Sequence, residues 1–131
     1  MAWTSKVAIS KQYRNTVEVL WVELSDGGEL TADVLVDVST FTKRDGSAAS
    51  GCVVEFYEAQ LFGAQDVGYY SLQVGSTLID AGGAGQKISG PSYKEGAARD
   101  DLLKATGDLT VTTLATDSGD CLRIKARVSL I

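Results

Sequence analysis

From Leu122 to Leu130, apolar and polar side chains alternate without a break. Leu122, Ile124, Ala126, Val128 and Leu130 take the even positions; Arg123, Lys125, Arg127 and Ser129 take the odd ones. Successive side chains of a strand point to opposite faces, so this period of two describes a half-buried β-strand and no helix. It also commits three cations to one outer face. The rest of the chain has to build a partner for the apolar side and find a use for the basic one.

Most of the chain carries the same β signature. Val7 and Ile9 alternate with polar neighbours, and Lys11 and Tyr13 follow in phase. "TVEVLWVELS" (Thr16–Ser25) is β-branched and aromatic, and apolar on both faces at its middle, as a central strand is. Asp26-Gly27-Gly28 supplies a turn able to take positive φ. "TADVLVDVST" sets Ala32, Val34, Val36 and Val38 against Asp33 and Asp37 on the other face. "FTKRDGSAASG" is a polar loop with Asp45-Gly46 as its turn. "CVVEFYEAQLF" and "VGYYSLQV" are strands, and "STLI" is a short one. "DLTVTTLA" and "CLRIKARVSLI" are expected to close the fold as a hairpin over "TDSGD".

Between Asp80 and Gly107 the texture changes. "DAGGAGQKISGPSYKEG" is Gly-rich and holds the single proline, Pro91, and "AARDDLLKA" has the length of two helical turns anchored by Leu102 and Leu103. A connection this long inside a compact domain is either a functional loop or a crossover between sheets. The expectation is an all-β fold: an antiparallel β-sandwich of about seven or eight strands with one short helix or long loop. The 131 residues make one domain, with a short N-terminal arm (1–5) and a long Gly-rich loop (80–107). A chain of this length buries enough surface to fold without staples.

Several chemistries are excluded. There is no histidine, which removes Ser-His and Cys-His nucleophile pairs and histidine metal sites together. No Gly-x-Ser-x-Gly elbow occurs. "GGAGQKIS" lacks the Gly-Lys-[Ser/Thr] ending of a phosphate loop. Asp33 and Asp37, four residues apart on one strand face, would lie about 13–14 Å apart at ~3.4 Å per residue. That exceeds the roughly 5–9.5 Å of a hydrolytic carboxylate pair. Asp117 and Asp120 belong to a turn, and Asp100-Asp101 to a solvated face. The expectation is no enzyme, no cofactor and no metal. Cys52 and Cys121 each open a β-like run and are read as small, reduced, buried apolar residues. "MAWTSKVAIS" has no apolar h-region, and no apolar stretch reaches membrane-spanning length, so neither a signal peptide nor a membrane span is expected. The net charge of −5 opposes nucleic-acid binding.

Two features point to association. Arg123, Lys125 and Arg127 form either a docking strip for an acidic partner or a row offset by acids on a neighbouring strand, such as Asp33 and Asp37. Trp3 in the arm, the consecutive Tyr69 and Tyr70, and Tyr93 in the Gly-rich loop are candidate interface aromatics; of the tyrosine pair, one must face away from the core.

Three stretches, "RNTVEVLWVELSDGGEL" (Arg14–Leu30), "LVDVSTFT" (Leu35–Thr42) and "GDLTVTTLATDSGDCLRI" (Gly107–Ile124), resemble small structural proteins encoded among the head genes of tailed bacteriophages. The resemblance implies a non-enzymatic virion component: a capsid decoration, or cement, protein that is assembled in the host cytoplasm and binds the outside of the head shell. The implied partners are further copies of itself, most commonly as a trimer, and the major capsid protein. The rival from another class is a carbohydrate- or receptor-binding β-sandwich of a phage tail or fibre, in which the exposed aromatics would stack on sugar rings.

Overall fold

The computed structural model describes residues 4–63, 68–90, 105–116 and 119–131. Ten strands run through them: β1 (Thr4–Tyr13), β2 (Thr16–Leu24), β3 (Asp33–Val36), β4 (Gly51–Phe62), β5 (Tyr69–Val74), β6 (Thr77–Gly83), β7 (Lys87–Gly90), β8 (Ala105–Thr106), β9 (Leu109–Leu114) and β10 (Cys121–Leu130). They form two sheets in which every strand pair is antiparallel. The larger sheet has the order β1-β2-β10-β4-β7, with β8 pairing β4 at one end; the smaller has the order β3-β9-β5-β6. If β1 and β8 are set aside and the other eight strands are counted along the chain, the two sheets read 1-8-3-6 and 2-7-4-5. That is the strand order of a jelly roll, a β-sandwich built from two Greek keys.

Between the sheets lies one core. β10 contributes Leu122, Ile124, Ala126, Val128 and Leu130, all buried, as its alternation predicts; β2 adds Val17, Val19 and Trp21, β4 adds Cys52, Val54, Tyr57, Ala59 and Leu61. The smaller sheet answers with Val36, Leu72, Val74, Leu109 and Val111. Tyr57 and Tyr70 carry polar tips into this core and find partners there. The Tyr57 hydroxyl donates to Asp80 Oδ2 at 2.5 Å, joining β4 to β6. The Tyr70 hydroxyl lies 2.6 Å from the Gln86 carbonyl and 3.0 Å from that of Ala59, joining β5 to the opposite sheet.

Four expectations are corrected. The strands "DLTVTTLA" and "CLRIKARVSLI" are not a hairpin: β9 lies between β3 and β5 in the smaller sheet, β10 between β2 and β4 in the larger. The turn between them crosses the sandwich, and its backbone is tied to the β2–β3 connection by Ser25 N donating to the Asp120 carbonyl (2.7 Å) and Gly119 N to the Ser25 carbonyl (2.9 Å). Secondly, the described part of the 80–107 segment is mostly strand: β6 runs on to Gly83, β7 follows at Lys87–Gly90 and β8 at Ala105–Thr106. β7 is only four residues long, and its register against β4 (Tyr57↔Gly90 to Gln60↔Lys87), with buried Ile88, holds it. The expected helical turns over "AARDDLLKA" fall almost wholly outside the described residues.

Thirdly, strand β1 already begins at Thr4, within the expected arm. Finally, the even phase of Ala32 to Val38 breaks at a bulge between Val34 and Val36, which leaves Val34 exposed and Val36 buried. Asp37 instead caps a single 3-10 turn, its Oδ1 accepting from Ser39 N at 3.0 Å.

At one end of the sandwich two turns pack backbone to backbone. Gly75 N donates to the Asp108 carbonyl at 3.1 Å, and a Cβ on Gly107 (φ +113°) would lie 2.9 Å from Gly75 Cα. Only glycine permits that approach with that backbone conformation.

Candidate functional site

β10 sits at the middle of the larger sheet, so its outward cations have strands on both sides. Arg123 lies opposite Val22 and Gln60, Lys125 opposite Leu20 and Glu58, Arg127 opposite Glu18 and Phe56. The rows extend outward to Lys11, opposite Glu18 on β1, and to Lys87, opposite Gln60 on β7. A bulge in β4 sets this register. Arg127 pairs with Phe56 and Val128 with Val54, so Glu55 is the extra residue. Beyond the bulge Phe56, Glu58, Gln60 and Phe62 share the outer face while Tyr57, Ala59 and Leu61 face the core.

The acids expected to offset the cations are not the ones that do so. Asp33 belongs to β3, in the other sheet, and Asp37 caps the turn after it. The partners come from β4: Arg127 Nε lies 3.5 Å from Glu55 Oε2, and Lys87 Nζ lies 2.6 Å from Glu58 Oε1. The Lys87 ammonium, by hydrogen bond and by charge, holds the Glu58 carboxyl below its usual range, with smaller help from Lys125 and Arg123. Lys11 Nζ stands 5.1 Å from the centre of the Tyr13 ring. Arg123 and Lys125, both exposed, form no ion pair among the described residues. The face thus holds Lys11, Lys87, Arg123, Lys125 and Arg127 against Glu18, Glu55 and Glu58, a basic surface on a chain of net charge −5.

The face is not flat. A hollow of about 550 Å³ is lined by Lys11, Glu18, Leu20, Phe56, Arg123, Lys125 and Arg127. A smaller one of about 110 Å³ adjoins it, among Glu58, Gln60, Phe62 and Lys87, and shares Arg123 and Lys125. Arg123 and Lys125 therefore stand between two depressions, with apolar floor from Leu20 and Phe56 on one side and Phe62 on the other. Such a site can bind anionic groups and an apolar side chain together.

The aromatic candidates do not join this face. Tyr69 is 62% exposed on β5, on the outer side of the smaller sheet, and its cross-strand neighbour Leu114 is equally exposed. Tyr70 is corrected: it is 1% exposed, because the residue after an outward Tyr69 must point inward, and it is a core residue. Trp3 and Tyr93 lie outside the described residues. Sequence reasoning missed Phe56 and Phe62. Their spacing with Glu58 and Gln60 was a visible period of two, but which face it belonged to depended on the bulge at Glu55. Among the described residues, the outward positions of the smaller sheet around Tyr69, namely Val34, Ser71, Gln73, Leu78, Thr110, Thr112 and Leu114, hold no charged side chain.

Both cysteines are free. Burial pushes the Cys52 thiol up to about 12, with Asp108 adding to the shift, and burial also raises that of Cys121. Neither has the lowered pKa of a nucleophilic thiol. Compared with known proteins, no family model, no curated protein and no solved structure matches this chain.

Proposed function

We propose that this chain is a non-enzymatic structural protein of a phage virion, a decoration protein that docks on the acidic outer surface of a head shell through the outer face of its larger sheet. One observation carries the reading. A chain of net charge −5 gathers five cations on one sheet face, and three of them, Lys11, Arg123 and Lys125, have no ion pair among the described residues. Unpaired like charges two residues apart on a strand repel, and an acidic partner surface relieves that repulsion on contact. The resemblance to phage head proteins names the partner as the major capsid protein. The jelly-roll strand order is compatible with this, since that fold serves in capsid domains and in lectins alike. A sugar-binding role uses aromatic platforms and amide partners, and has no need of a cationic row.

Self-association, in the same reading, falls to the opposite face. Among the described residues, the outward strand positions around Tyr69 and Leu114 on the smaller sheet carry no charge, so like-charged copies can approach there without burying an unpaired ion.

The test replaces Arg123, Lys125 and Arg127 together by Gln. Exposed charges of one domain are worth about 0–1 kcal/mol each to folding, so the melt should stay close to the parent's. Co-sedimentation with shells of the cognate capsid protein should fall by about thirtyfold or more, as loss of interfacial charge pairs does. A normal melt with undiminished co-sedimentation refutes the docking role.

A further inference from the structure

We infer that the hollow on the larger sheet takes an extended acidic peptide segment, with the pattern acid-x-acid-x-apolar, laid parallel to β10. The inference rests on the reading of this face as the docking face, and goes beyond it to the form of what docks.

The geometry supplies the pattern. Arg123, Lys125 and Arg127 are alternate residues of one strand, so their stems repeat at roughly 6.8 Å. An extended peptide repeats its own same-side residues at that distance, whereas a helix brings neighbours to its face at i+3 and i+4. A segment lying along β10 can therefore keep step with the row over three positions. The three positions differ. Arg123 and Lys125 form no ion pair among the described residues, and each can accept a carboxylate. Arg127 is 3.5 Å from Glu55 and stands opposite Glu18. A third acid there would meet two carboxylates already in place. Beside Arg127 the floor is Phe56, and beside Lys125 it is Leu20, and both line the 550 Å³ hollow. The third same-side residue of the segment is accordingly apolar.

The same distribution disfavours a polyphosphate strand. A nucleic acid presents an anion at every step, and would set phosphates against Glu18, Glu55 and Glu58 along the very rows that hold the cations. A segment with two acids and an apolar residue keeps its charges away from Glu18 and Glu55, and meets only Glu58, which Lys87 already pairs.

The experiment uses the full chain and three labelled probes in fluorescence anisotropy at physiological salt. The first is a capped nonapeptide carrying Glu-Thr-Glu-Thr-Leu between Gly-Ser flanks. The second is the same composition reordered as Glu-Glu-Thr-Thr-Leu, and the third a short oligo-dT. The first probe should bind about tenfold or more tighter than the second, because only it presents both acids and the leucine on one side. Lys125→Gln, Arg123→Gln and Phe56→Ala should each weaken it several-fold, with Asp33→Asn on β3 of the smaller sheet as a control that leaves it unchanged and melting scans showing that each variant is folded. Equal binding of the two peptides, tighter binding of oligo-dT, or binding of none of the three at millimolar protein overturns the inference. Shells that co-sediment with a chain binding no peptide overturn this inference alone. A chain that binds the first probe selectively but ignores shells keeps the peptide site and loses the virion docking.

Discussion

Tyr70 and Cys52 tie the residue scale to a measurable pH response. Burial pushes the Tyr70 phenol up to about 12 from an ordinary 10, and the Cys52 thiol up to about 12 from an ordinary 9. Both are neutral acids held neutral by the core, so the unfolded chain releases their protons first as pH rises. The unfolded state then binds fewer protons than the native one, and stability falls with pH. The melting temperature should hold level up to about pH 8.5 and decline between pH 9 and 12, as the thiol and then the phenol of the unfolded chain ionise. Cys52→Ala should reduce the part of the decline that begins near pH 9, leaving the smaller share of Cys121, a difference thermal melts across that range will register. A slope that does not change in this variant would mean that the thiol is not held neutral by burial. Tyr70 also explains a glycine. A Cβ on Gly82 would lie 3.0 Å from the Tyr70 hydroxyl oxygen and from Ile88 Cγ2, so a side chain on β6 there would crowd the ring as it passes.

At the scale of the element, β10 is the strand on which the larger sheet depends, since it pairs β2 along one side and β4 along the other. Its inner row is fully buried, and Ile124 lies in it at 0% exposure. Ile124→Ala should cost about 2–5 kcal/mol, the transfer and cavity cost of a buried branched side chain, read as a lower denaturant midpoint with an unchanged slope. A parent-like midpoint would overturn the register of the whole sheet, because the outward placement of Arg123, Lys125 and Arg127 follows from the inward placement of Ile124. The bulge at Glu55 belongs to the same scale. It turns Phe56, Glu58, Gln60 and Phe62 to the basic face, and it brings the Glu55 carboxylate to Arg127.

Among the described residues, the molecule presents two unlike surfaces, one basic with apolar hollows and one with exposed Tyr69 and Leu114 and no charged outward position beside them. In the proposed reading the first meets the shell and the second meets other copies. The purified chain should therefore scatter light as a homo-oligomer, with a trimer expected, at tens of micromolar. Tyr69→Glu with Leu114→Glu should yield a folded monomer, since an exposed pair costs the domain little and charges on the shared face cost the contact much. A parent that scatters as a monomer of 13.8 kDa refutes the self-association.

Alternation alone determined the all-β class, the inner and outer rows of β10, and the cationic row itself, because side-chain direction in a strand is a local consequence of the pleat. Composition alone removed histidine chemistry. What stands beside each strand was not local. The sequence suggested a hairpin of "DLTVTTLA" with the last strand because the two are neighbours along the chain, yet the jelly-roll crossing puts them in opposite sheets and gives β10 to β2 and β4. Asp33 and Asp37 were reasonable counter-ions by charge and wrong by place for the same reason. β7 was invisible because four residues among glycines carry almost no pattern of their own; β4 and the core contact of Ile88 make them a strand. The faces of Phe56 and Phe62 hung on one bulge, and a one-residue insertion in a period of two reverses every side chain after it. Tertiary pairing decided these features because each depends on what lies across a hydrogen-bonded ladder, a relation that spacing along the chain does not contain.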